Sequence, residues 1–213
     1  TGLALSLLGE YDSAILSYRL ALKEDPDPKR RARTARRIAE ALRDSGRSFE
    51  ALLAVRQAAS LDAGGDESVR IAIMECALLL KLGLASRSLE RALGALGELD
   101  GPGPDADRLV AAAAEAAVAA GDDATARKAL DALARRPGFG PRAERLEAEL
   151  LRRAGRPAAA LRILDSFDAG TARAAGLDFT ELSKLKGALA LEAGDPLLAA
   201  RILETSPPEG EAK

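Results

Sequence analysis

Arg33, Arg70, Arg108 and Arg142 each stand thirteen residues before a glycine, at Gly46, Gly83, Gly121 and Gly155. A guanidinium is a permanently charged planar fork that holds carboxylates through paired hydrogen bonds, so such a column suits an acidic peptide or a C-terminal carboxylate. Glu181 breaks the series before Gly194. Arginine near the start of a helix opposes the helix dipole, so helix stability does not explain the column. Solubility does offer an explanation. Acids at four-residue spacing, Glu40 after Arg36 and Glu149 between Arg145 and Arg153, provide partners on a helix surface. Ligand binding and simple solvation are the two readings of these arginines.

Other chemistry finds little material. The chain has no histidine, which removes the commonest general base and metal ligand, and no Ser-His or Cys-His pair can exist. Cys76 cannot form an internal disulfide and reads as a buried packing residue. Asp25 and Asp27 lack the rest of a calcium loop, and the prolines of Gly101-Pro102-Gly103-Pro104 remove amides that a phosphate would need. We expect no catalytic residues, cofactor or metal. The run from Lys29 to Arg37 holds six basic residues in nine, but no aromatic is interleaved to stack a base, so nucleic acid is disfavoured as a partner. Ile73, Met74, Leu80, Ala111, Ala112 and Val118 would form an apolar floor between basic ends that include Arg36, Arg37 and Arg145. Such a floor, if exposed, accepts an apolar helix or an extended peptide; tight curvature would instead bury it.

The elements that must position these residues recur. Gly9, Gly46, Gly83, Gly121, Gly155 and Gly194 follow one another at spacings of 34 to 39 residues, each between two helical runs. Seven before them stand Gly2, Ala39, Cys76, Ala114, Ala148 and Gly187; five after stand Ala14, Ala51, Ser88, Ala126, Ala160 and Ala199. Two columns of small residues let paired helices cross closely. Nine after the glycines come larger residues, Tyr18, Val55, Ala92, Leu130, Leu164 and Leu203. Asp122, Asp178, Asp195, Ser48 and Ser86 are expected as N-caps, and Pro157 and Pro196 as first helical residues. Helices are expected near 1–8, 12–24, 29–45, 48–61, 67–82, 86–99, 105–120, 123–135, 141–154, 157–167, 178–193 and 196–205, with a looser stretch over 168–177. The pattern predicts hairpin units at about 1–26, 27–63, 64–101, 102–138, 139–170 and 171–206, one continuous array over 1–205, and a flexible tail over 206–213.

Composition agrees with an all-α chain. Of 213 residues, 47% are hydrophobic but only 3% aromatic, a core of Ala and Leu that suits close helix packing. The net charge of −2 singles out no nucleic acid or membrane partner. No apolar run is long enough to span a membrane and no charged-then-apolar leader is present, so we expect a soluble chain whose compartment stays open. Because the pattern opens mid-helix at Thr1, a preceding segment is expected.

With Gly9, Tyr11, Ala14, Tyr18, Ala21, Leu22 and Pro26, the first unit resembles the second half of a tetratricopeptide repeat; unit two keeps Ala39, Gly46, Phe49, Ala51, Val55 and Ala58. Later units keep mainly the small columns. The resemblance implies a right-handed superhelix of six such repeats, about eleven to twelve helices with the first repeat truncated. It also implies a non-catalytic scaffold holding a protein partner in a concave groove. The chaperone-tail carboxylate clamp of that family relies on asparagines, and this chain contains none. The candidate groove residues are Arg33, Arg36, Arg37, Arg70, Ile73, Met74, Arg108, Arg142 and Arg145. A structural spacer or self-assembling subunit that packs end to end is the alternative, since solenoid ends need polar caps.

Overall fold

In a computed structural model, which describes residues 2–61, 65–99, 101–174 and 176–205 and leaves the side chain of Asp66 undescribed, every regular element is helical. The expected tail at 206–213 lies outside the described residues. Thirteen helices follow in order: α1 (Gly2–Leu7), α2 (Tyr11–Glu24), α3 (Pro28–Asp44), α4 (Ser48–Ala59), α5 (Gly65–Lys81), α6 (Ala85–Gly97), α7 (Pro104–Ala120), α8 (Asp123–Ala134), α9 (Gly140–Arg153), α10 (Pro157–Leu164), α11 (Ala169–Ala174), α12 (Phe179–Glu192) and α13 (Pro196–Glu204).

Both small columns are buried at every position, from Gly2 with Ala14 to Gly187 with Ala199. The closeness they permit is measurable at the glycines. A Cβ on Gly2 would lie 2.6 Å from Tyr18 Cε1, and one on Gly187 would lie 3.1 Å from Leu203 Cγ. The one crossing without alanine or glycine has its own chemistry. Ser88 Oγ donates to the Cys76 carbonyl at 2.9 Å, and Cys76 Sγ donates to the Ser88 carbonyl at 3.6 Å. Burial pushes the Cys76 thiol up to about 11, so it stays protonated at neutral pH.

Gly46 shows how the hairpins turn. Its φ of +82° is left-handed, which an L side chain rarely adopts. The next amide, of Arg47, then donates back to the Leu42 carbonyl at 2.8 Å, closing the helix end. The same bond runs from Asp195 to Ala190 at 2.9 Å. Asp122, Asp178 and Asp195 cap their helices through Thr125, Thr180 and Leu198 amides at 3.1, 2.8 and 2.9 Å. Ser48 and Ser86 do not cap. Both lie inside their helices, where α4 and α6 begin after Arg47 and Leu84 without a side-chain cap.

The helices group into two compact units, Thr1–Gly121 and Asp122–Lys213. The division falls inside the expected fourth hairpin: α7 packs with α5 and α6 in the first unit, and α8 packs with α9 in the second. In the first unit Ile38, Leu42, Leu52, Val55, Leu78 and Leu79 belong to one core cluster. In the second, Leu164, Phe167, Leu182 and Leu189 share a core with Ala172 of α11. That short helix occupies the stretch read from sequence as loose. Asp168 accepts from the Thr171 amide at 2.7 Å to start it, and left-handed Gly176 follows it.

Enlarging a small-column residue tests this packing. Ala51→Leu should lower the unfolding free energy by about 1–3 kcal/mol through overpacking, measured by urea titration, whereas Ala59→Leu on the exposed side of α4 should change it by less than about 0.5 kcal/mol.

Candidate protein-binding face

In the first unit, the second helix of one hairpin packs on the first helix of the next, α2 on α3, α4 on α5 and α6 on α7. This arrangement brings α3, α5 and α7 side by side, because α5 also contacts both α3 and α7 directly. Equivalent positions on the three helices are thereby neighbours. Arg33, Arg70 and Arg108 occupy the same register, each in the second turn of its helix, and all three are exposed.

Their surroundings differ. Arg33 and Arg36 both approach the carboxylate of Glu67 on α5, with Nε–Oε distances of 3.7 and 2.5 Å. Arg36 also pairs with Glu40, and only 12% of its side chain is exposed. It is therefore a structural cation that satisfies a buried acid. Arg108 reaches Asp105 at 3.3 Å in an exposed pair of the kind worth well under about 1 kcal/mol. Arg70 makes no hydrogen bond or ion pair with any described group. Arg37 is half-buried along α3.

A second buried acid, Glu75, ties α5 to α4 and α6. Its carboxylate accepts from Arg56 Nε on α4 at 3.1 Å and from Arg91 Nε on α6 at 2.9 Å. Glu67 and Glu75 escape a sequence reading focused on arginine. One signal was present, since Glu75 stands eight residues before its glycine, where Ile38 and Ala113 are apolar and buried. The signal is weak, because Glu147 and Lys186 hold the same position without being buried.

The apolar floor is mostly core. Met74 is buried in the cluster with Leu78 and Leu79, and Ala111 and Val118 are buried too. Ile73 is half-buried against Val69, Ala72, Ala95 and Leu109. Met74 is therefore no groove residue, because tight packing of α5 draws it inward. Arg142 and Arg145 lie on α9 of the second unit, both half-buried, and Arg145 pairs with Glu149 at 2.6 Å. The basic run of α3 is likewise divided, with Arg30 on Asp27 at 3.1 Å and Arg31 half-buried.

Among the described residues no group of three His, Cys, Asp or Glu side chains is placed to hold a metal, and no helix is long and apolar enough to cross a membrane. The helix-turn-helix repeats and their close crossings define a helical-hairpin repeat protein. More particularly, the fold is that of tetratricopeptide-like repeats. The chain matches a tetratricopeptide repeat protein from Parabacteroides merdae with a TM-score of 0.74 at 18% identity, over 97% of this chain and 78% of the other. It matches PilF of Pseudomonas aeruginosa with a TM-score of 0.65 at 19% identity, over 94% and 85% of the two chains. MamA of MSR-1 matches with a TM-score of 0.50 at 17% identity, over 82% and 93%. No protein-family model matches the chain, and no curated protein does. At these identities the likeness is one of fold.

Removing Glu67 would leave the largely desolvated Arg36 with Glu40 as its remaining carboxylate partner among the described residues. Glu67→Ala should therefore cost about 3 kcal/mol in urea unfolding, and the double change with Arg36→Met should recover much of that loss.

Proposed function

We propose that the chain is a non-catalytic interaction scaffold whose first unit holds an acidic peptide segment across α3, α5 and α7. The observation that carries this reading is the exposed register of Arg33, Arg70 and Arg108 on three adjacent helices. Arg36 shows the contrast. Arg36 is sunk between two carboxylates, whereas Arg33, Arg70 and Arg108 are exposed to solvent, Arg33 even while it reaches Glu67. A bound carboxylate would give Arg70 the paired hydrogen bonds that no described neighbour supplies. The lack of histidine and the burial of the only cysteine favour a binding role over covalent or acid–base catalysis.

A fluorescein-labelled peptide of alternating Glu and Ser tests the proposal by anisotropy. Binding should weaken with salt, and Arg70→Glu with Arg108→Glu should reduce affinity at least about tenfold while far-UV circular dichroism stays unchanged. Undiminished binding by that folded variant would remove the arginine register from the account.

One observation favours a second reading, association of copies through their ends. The position held by Leu203 is buried in all five preceding hairpins, from Tyr18 to Leu164, yet Leu203 is 47% exposed. Leu3, Leu7 and Leu8 are exposed as well. This reading predicts a mass that rises with concentration in light scattering and falls back in Leu203→Glu; a constant monomer mass would reject it.

A further inference from the structure

The second unit contains a cleft of about 570 Å³ between α8 and α9. Its floor is apolar, built from buried Leu130, Ala143 and Leu150. Its walls break the repeat. Arg127 stands six residues after its glycine, where Ile15, Leu52 and Leu89 are buried in other hairpins. Glu144 stands eleven before, where Ala35, Ala72 and Ser183 are buried. Glu147 stands eight before, where Ile38 and Ala113 are buried and Glu75 is enclosed by two arginines. At this junction alone among these registers the three positions are charged and exposed together, and none of the three has an ion-pair partner among the described residues. A buried apolar side chain at such a position stabilises the packing, so the charged residues forgo stability that neighbouring hairpins keep. Local rules broken without a structural return are expected at functional sites.

The charges are also sorted. The short turn 135–139 makes α8 and α9 antiparallel, so the C-terminal end of α8 lies beside the N-terminal end of α9. Asp131 and Glu144 thus share one end of the cleft, Arg127 on α8 stands level with Glu147 on α9 in its middle, and Arg156 follows α9 at the other end. The floor offers burial to an apolar side chain, and the two ends ask for opposite charges.

We infer that this cleft docks a partner's amphipathic helix that carries an apolar stripe with basic residues toward one end and acidic residues toward the other. About four helical turns would span the length of α9. The basic end meets Asp131 and Glu144, the acidic end meets Arg156, and the middle of the helix passes between Glu147 and Arg127. A uniformly charged helix satisfies one end and is repelled at the other. The site is separate from the arginine register of the first unit and does not depend on it.

Three labelled synthetic helices with one leucine stripe, charged Lys-then-Glu, all Lys or all Glu, test this by fluorescence anisotropy against the full chain. The mixed helix should bind at least about tenfold more tightly than either uniform one. Glu144→Lys with Glu147→Lys should reverse the order in favour of the all-Glu helix, and Glu144→Gln with Glu147→Gln should erase the preference for the mixed helix over the all-Glu one. Arg70→Glu with Arg108→Glu should leave mixed-helix binding unchanged. Equal binding of all three helices, or an unaltered order in the folded Lys and Gln variants, would overturn the inference.

Discussion

Close crossing of two helices through a pair of small residues is the contact on which the rest of this structure depends. Within each unit the paired helices carry a glycine, alanine, cysteine or serine at the crossing positions, and every such position is buried. Small residues contribute little area of their own. Their effect is to let larger neighbours, Tyr18 over Gly2 and Leu203 over Gly187, rest on the opposite backbone at van der Waals distance. The Cys76–Ser88 crossing obeys the same constraint with polar atoms, whose reciprocal hydrogen bonds to backbone carbonyls satisfy both side chains where no water reaches.

Fixing the crossings fixes which side chains become neighbours on successive helices, and arginine then serves two ends. In the first unit it neutralises buried acids: Arg36 with Arg33 at Glu67, and Arg56 with Arg91 at Glu75. Each acid ties α5 to the helices beside it. Such pairs add little net stability over apolar residues, but losing one partner strands a buried charge, so they hold the helices to one register. On the outer turn of the same helices, Arg33, Arg70 and Arg108 inherit that register and present it to solvent.

Much of this was legible in the sequence because it depends on local rules. Gly46 and its equivalents announce left-handed helix ends, Asp122, Asp178 and Asp195 announce starts, and the small columns announce crossings. Ser48 and Ser86 misled because they stand one and two positions past the residues that precede their helices, a shift that sequence signals of a helix start do not resolve. Helix α11 was missed because six residues are too few to show a period, although Asp168 and Gly176 bracket it. The site was less legible. Arg36 and Glu67 lie thirty-one residues apart, and nothing local says that they meet. Whether Met74 is floor or core depends on how tightly α5 packs, which is a property of the assembled unit.

Amide hydrogen exchange across the chain, with and without the Glu-Ser peptide, measures the central claim most directly. The account predicts slowed exchange confined to the N-terminal halves of α3, α5 and α7, around Arg33, Arg70 and Arg108. Protection that leaves those segments unchanged and falls instead on α9 to α13 would contradict it.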